Sequence, residues 1–112
     1  MNILVVDDEY AILDFFRELF GDIGHTLITA SSVKEARKII EKDAFDIAIV
    51  DFSMPDGEGT EVVRFIKIQN PETKILGISA TEQCNTFYKA GADFFINKPF
   101  SVEQVLEAIR SI

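Results

Sequence analysis

A single cysteine and a single histidine limit the chemistry of this sequence before any pattern is read in it. Cys84 alone cannot form an internal disulfide. A lone thiol of this kind reads first as a small apolar residue kept in a reducing compartment. Cys84 and His25 together are too few for a zinc site built on sulfur and nitrogen. Cationic charge is also scarce: 11 Lys and Arg stand against 19 Asp and Glu, a formal net charge of −8. Nucleic acid and anionic lipid carry dense negative charge, so direct nucleic-acid binding and attachment to a membrane are disfavoured. No apolar run approaches the roughly 20 residues needed to span a bilayer. Repeats, low-complexity stretches and linkers are missing, and the chain starts straight into Ile3-Leu4-Val5-Val6 with no basic leader. The expectation is one cytoplasmic domain over residues 1–112.

What the chain does have is apolar residues, 47% of the total and ten of them Phe, enough for a core without disulfide or metal staples. The central stretch is Phe45-Asp46-Ile47-Ala48-Ile49-Val50-Asp51-Phe52-Ser53-Met54-Pro55. Its unbroken apolar run reads as a strand buried on both faces, which belongs in a parallel sheet covered by helices. Similar runs predict strands at Asn2–Val6, His25–Ala30, Lys74–Ser79 and Asp93–Asn97. Between them, i, i+3, i+4 spacing predicts helices over Tyr10–Ile23, from Ser32 to about Lys42, over Thr60–Gln69 with Val62, Phe65 and Ile66 inward, over Glu82–Ala90, and from Val102 on. Ser32-Val33-Lys34-Glu35 and Ser101-Val102-Glu103-Gln104 are capping boxes. Asp56-Gly57-Glu58-Gly59 reads as a loop. Five strands alternating with five helices give an α/β fold: a five-stranded parallel sheet with right-handed crossovers and helices on both faces.

In such a sheet the residues just past each strand share one edge, where ligands bind in open α/β folds. The first strand delivers Asp7 and Asp8, the third Asp51, the fourth Ser79 and the fifth Lys98, whereas the second delivers only Ala30. Taken singly, Asp7 and Asp8 can be helix caps, Ser79 a turn residue and Lys98 a solvated charge. Their coincidence on one edge argues otherwise. Three close carboxylates stay ionised only with a cation among them, and an all-oxygen set with water suits Mg²⁺. A carboxylate beside Mg²⁺, an ammonium and a hydroxyl can handle a phosphoryl group, with the carboxylate as nucleophile.

These residues carry a resemblance. Val5-Val6-Asp7-Asp8-Glu9, Ile49-Val50-Asp51 with Met54-Pro55 and Gly59, Ser79-Ala80, and Ala90-Gly91-Ala92-Asp93 leading into Lys98-Pro99-Phe100 resemble the receiver domain of two-component response regulators along essentially the whole chain. The resemblance implies a flavodoxin-like doubly wound sheet and a phosphorylation-dependent switch that turns over no external metabolite. It implies Asp51 as phosphoacceptor, and Asp7, Asp8, Asp51 and the Ser53 carbonyl as Mg²⁺ ligands. Lys98 and Ser79 would contact the phosphoryl oxygens, assisted by the Phe52 and Ala80 N–H groups, and the Lys98–Pro99 bond would be cis. Ser79 and Phe95 would be the switch residues, Phe95 lacking a hydroxyl and therefore driven by packing. Implied partners are a sensor histidine kinase or phosphotransfer protein, an output protein or attached output domain, and a second copy through the face of the fourth helix, fifth strand and fifth helix.

The match is not complete. The segment from Ser79 to Gly91 is about three residues short, close to one helical turn, which places the output face in question. Glu58 stands where the family more often has Asp, and Ser53 and Thr81 fill the positions that tune aspartyl-phosphate lifetime. His25, at a strand start, reads as a surface residue and not as a phosphotransfer histidine. The rival reading is a phosphate-independent interaction module of the same fold. A Mg²⁺-dependent aspartyl-phosphate phosphatase is disfavoured because Ser53 stands where such an enzyme carries its second acid.

Overall fold

The computed structural model describes residues 1–21 and 24–112. Its main sheet has five parallel strands in the order β2-β1-β3-β6-β7: β1 (Asn2–Val6), β2 (Thr26–Ala30), β3 (Ile47–Asp51), β6 (Lys74–Ser79) and β7 (Phe94–Asn97). The five helices are α1 (Tyr10–Leu19), α2 (Val33–Lys42), α3 (Gly59–Gln69), α4 (Cys84–Ala90) and α5 (Val102–Ser111). Strand alternation sorts the core into two layers. Leu4, Val6, Ala48, Val50 and Ile75 face α2, α3 and α4, while Ile3, Val5, Ile47, Ile49, Leu76 and Ile78 face α1 and α5. All five residues of β3 are buried, as a strand covered on both sides requires.

The predicted first helix is cut short. It ends at Leu19 with Phe20 as its cap, and Ile23 lies outside the described residues. Two further short strands, β4 (Ser53–Met54) and β5 (Gly57–Glu58), turn the expected loop into a small antiparallel ladder. The turn between them presents Asp56, whose two oxygens accept from the Val33 N–H at 2.8 Å and the Lys34 N–H at 3.0 Å. The α2 N-terminus is thus capped from the β4–β5 turn as well as by Ser32, whose Oγ accepts from the Glu35 N–H at 3.0 Å. The expected capping box is half closed, because the Glu35 carboxylate takes the Ser31 N–H and not that of Ser32. The box opening α5 is complete: Ser101 Oγ accepts from the Gln104 N–H and Gln104 Oε1 from the Ser101 N–H.

One side chain, Phe65, differs from its predicted setting. On α3, Val62, Val63 and Ile66 are buried, whereas Phe65 is half-buried at the rim, with the Arg37 guanidinium 4.7 Å above its ring. On α5, Val105 and Ala108 face the core, and Val102 is exposed. The fourth helix has seven residues and starts at Cys84, two later than predicted. The cause is local: the Thr81 N–H bonds back to Ser79 Oγ at 3.0 Å, a turn that competes with helix. Its buried ring, Phe87, lies on Gly77 of β6, where a Cβ would come within 2.5–2.9 Å of ring atoms.

Candidate functional site

The carboxyl edge of the sheet collects the expected side chains. Parallel register sets Val6 beside Val50, and Asp51 beside Ile78, so Asp7, Asp51 and Ser79 emerge side by side. Gly59, the first residue of α3, fits against the strand end: a Cβ there would overlap the Asp51 carbonyl oxygen. Its N–H donates to the Phe52 carbonyl at 2.6 Å, fixing the start of α3 against the end of β3.

Lys98 occupies the centre. Its Nζ lies 3.0 Å from Asp7 Oδ2, 3.1 Å from Asp51 Oδ1 and 3.5 Å from Glu9 Oε1. The Lys98–Pro99 bond is cis, as the resemblance implies. Backbone pairing anchors the lysine, since its N–H donates to the Ser79 carbonyl at 2.8 Å. Glu9 is a participant that the sequence reading passed over, although the run Asp7-Asp8-Glu9 was visible.

Three carboxylates, those of Asp7, Asp51 and Glu9, converge on one ammonium. Asp7 is fully buried and Asp51 is 5% exposed, whereas Asp8 is exposed. Burial, and then the Asp7 charge, push the Asp51 carboxyl up to about 6, against the pull of Lys98. Burial likewise raises Asp7, opposed by the Glu9 N–H donated to its Oδ1 at 2.9 Å and by Lys98. Burial alone would lower Lys98, but Asp7 and Asp51 overcome it and hold the ammonium above its usual range. The cluster has more negative charge than one lysine neutralises.

Asp7, Asp8 and Asp51 each offer an oxygen within 4.8 Å of the others. Asp7 Oδ2 is buried, and the partner beside it is the Lys98 ammonium at 3.0 Å, which it shares with Asp51. A buried oxygen with only a shared ammonium beside it, in an all-oxygen set, fits a hard divalent cation. Ser53, exposed at the start of β4, stands beside the same loop.

The remaining predicted residues are less close-knit. Ser79 is 3% exposed, and its hydroxyl is turned onto Thr81 with no hydrogen bond to Asp51 or Lys98. The Phe52 N–H is already donated to the Ile78 carbonyl at 2.9 Å, extending the β3–β6 ladder past Asp51. It is therefore not the free donor that the resemblance implied. Ala80 is exposed and lines a groove of about 460 Å³ with Glu9, Ile12, Phe15, Lys98 and Phe100. Phe95 is half-buried, its ring 5.6 Å from that of Phe87, which in turn meets Phe52 edge-on at 6.1 Å. His25 lies exposed near the amino-terminal nitrogen, apart from the described cluster.

Comparison with known proteins agrees with this geometry. The response regulator receiver domain model matches residues 3–110. The response regulator protein PilR of Pseudomonas aeruginosa is 32% identical over 109 residues, 95% of this chain and 24% of that protein. The chain spans between a quarter and about half the length of the curated relatives it matches. Among solved structures, a CheY-like response regulator receiver domain protein from Methanospirillum hungatei JF-1 superposes with a TM-score of 0.89 at 32% identity, covering 97% of this chain and 90% of that one. A response regulator from Burkholderia pseudomallei, solved with a phosphorylated aspartic acid, a calcium ion and citrate, gives 0.86 at 25% identity, covering 96% and 65%. Five parallel strands with the acidic triad and Lys98 at their carboxyl edge, and a family match along nearly the whole chain, place this chain in the response regulator receiver domain family.

Proposed function

We propose that the chain is a phosphorylation-dependent switch in which Asp51 accepts a phosphoryl group from a phosphohistidine on a sensor kinase or phosphotransfer protein. The observation that carries this reading is the Lys98 ammonium held within 3.1 Å of both Asp7 and Asp51 at the sheet edge. An Asp51 carboxyl pushed up to about 6 is still mostly ionised at pH 7. It is nucleophilic and poorly solvated. One Asp51 oxygen attacks phosphorus and the P–N bond breaks. Its electron pair returns to the imidazole, which takes a proton from solvent, and an acyl phosphate remains. Lys98 neutralises a phosphoryl oxygen.

The Asp7, Asp8 and Asp51 carboxylates form an oxygen cluster that suits Mg²⁺; the Ser53 carbonyl would complete the protein ligands, and the ion when bound would supply further charge neutralisation at the phosphoryl group. The phosphorylated aspartic acid and calcium ion of the Burkholderia protein support the same pairing of acyl phosphate and divalent cation.

The modification adds about −1.5 to −2 charge. The Ser79 hydroxyl swings toward it, and Phe95 follows into the space beside Phe87, changing the α4-β7-α5 face that meets an output protein, an attached output domain or a second copy. The chain catalyses its own phosphorylation and dephosphorylation only, in the cytoplasm. Intact mass after incubation with acetyl phosphate tests the reading. A gain of one phosphoryl group that needs both Mg²⁺ and Asp51, and is lost in Asp51→Asn, supports it. No gain by the folded wild-type chain with Mg²⁺ overturns it in favour of a phosphate-independent interaction module.

A further inference from the structure

The β6–α4 turn ties Ser79 to polar groups of Thr81, Gln83 and Asn97 that the phosphoacceptor chemistry does not use. Ser79 Oγ accepts the Thr81 N–H at 3.0 Å and lies 3.1 Å from Thr81 Oγ1. Thr81 Oγ1 accepts in turn from Gln83 Nε2 at 3.4 Å. From the neighbouring strand, Asn97 Nδ2 donates to the Thr81 carbonyl at 3.3 Å and reaches the Ser79 carbonyl at 3.5 Å. That carbonyl also accepts the Lys98 N–H at 2.8 Å. The main chain of the turn is therefore tied to β7, and the freedom left to Ser79 is rotation of its side chain.

We infer that Thr81 is a positioning residue that holds the Ser79 hydroxyl away from Asp51 until a phosphoryl group competes for it. The inference rests on the phosphoacceptor reading of Asp51 and adds the contact that the switch must break. A serine hydroxyl has one proton and two acceptor positions. Two contacts to Thr81 pin the oxygen, whichever hydroxyl donates in the 3.1 Å pair. A swing of the Ser79 side chain toward a phosphoryl oxygen on Asp51 carries its oxygen away from both contacts, so Thr81 and the phosphoryl group compete for the position of one hydroxyl. Replacing the Thr81 hydroxyl by a methyl removes one of the two contacts and retains the N–H and the side-chain shape. Thr81 is exposed, so the replacement leaves the core intact.

The experiment is a titration with beryllofluoride, a stable mimic of the phosphoryl group, at fixed Mg²⁺, followed by fluorine NMR. A neutral hydrogen bond contributes a net amount that corresponds to about a 2- to 10-fold change in an equilibrium constant. Thr81→Val is therefore expected to bind beryllofluoride tighter than wild type by about that factor, and Thr81→Ser to bind as wild type does. In a Ser79→Ala background, Thr81→Val should change nothing, because the residue acts through the Ser79 hydroxyl. Unchanged or weaker binding by Thr81→Val, or an equal gain in the Ser79→Ala background, overturns the inference while leaving the phosphoacceptor reading intact. No beryllofluoride binding by the wild-type chain with Mg²⁺ overturns both.

Discussion

Replacing Asp51 by Asn should stabilise the metal-free protein at neutral pH, and the gain should vanish in acid. The reason is the position of Asp51: nearly inaccessible, beside Asp7, and sharing one ammonium with it. Its carboxyl moves from an ordinary 3.8 up to about 6, with burial the main cause and Asp7 the next. A raised carboxyl in the folded state means that ionisation favours the unfolded chain. Stability is therefore full below about pH 4, falls as pH rises from the unfolded value through about 6, and is lowest above that. About two pH units at 1.36 kcal/mol each give roughly 3 kcal/mol as the neutral-pH cost of the charge. The amide of Asn leaves Lys98 with Asp7 as its main partner and recovers part of that figure, about 1–3 kcal/mol. With a urea slope of about 1–3 kcal/mol/M, the midpoint should rise by around 1 M. The assay is urea unfolding in EDTA at pH 4.5, 6 and 7.5, followed by far-ultraviolet circular dichroism. The gap between wild type and Asp51→Asn should be smallest at pH 4.5, where about a third of the cost remains, and widen as pH rises. An Asn variant no more stable than wild type at pH 7.5, or a gap that does not change with pH, would refute the argument that burial of this charge destabilises the fold. Saturating Mg²⁺ should narrow the gap, because the ion binds the folded carboxylate form.

Gly59→Ala would drive a Cβ into the Asp51 carbonyl; the overlap should cost about 1–3 kcal/mol in urea unfolding and slow phosphorylation by acetyl phosphate. Gly77→Ala places a Cβ within 2.5–2.9 Å of the Phe87 ring, so a similar loss of about 1–3 kcal/mol is expected, with altered chemical shifts at Phe87 and Phe95 in a methyl- or aromatic-detected NMR spectrum. Asp56→Ala removes two hydrogen bonds from the start of α2 and should lower the thermal midpoint. Because those N–H groups hold the Asp56 carboxyl below its ordinary value, its contribution is present above the unfolded value and lost as pH falls through the folded one. The wild-type and Asp56→Ala melting points should therefore converge in acid. Asp8→Asn should weaken the response of the melting point to Mg²⁺.

Strand and helix positions were legible because they depend on local periodicity, and β3 could be placed from Ile47 to Asp51 by its unbroken apolar run. Apart from the start of α4, whose cause is local, the errors fall where a distant group decides. Asp56 reads locally as part of a loop, yet it caps a helix 22–23 residues earlier in the chain. Phe65 satisfies helical spacing as an inward residue, but the space beneath α3 is filled by Val62, Val63 and Ile66, and Arg37 covers its ring from α2. The start of α4 moved because Ser79 and Thr81 bond each other in preference to continuing a helix. Glu9 was visible in the acidic run, but its approach to Lys98 depends on where the pairing of the β7 end with Ser79 places the lysine.

The sequence by itself determined the alternation of strands and helices and the residue types at the strand ends, since hydrophobic period and turn residues act over a few positions. It also determined that a strongly acidic chain with one lysine past its fifth strand would concentrate opposite charge there. Only the tertiary structure decided the order β2-β1-β3-β6-β7, which brings Asp7, Asp51, Ser79 and Lys98 within reach of one another. It also decided that Asp7 Oδ2 lies buried against the Lys98 ammonium, and that the Ser79 hydroxyl rests on Thr81. These outcomes depend on contacts between segments far apart in sequence. They are set when the whole core packs at once, and no local pattern encodes them.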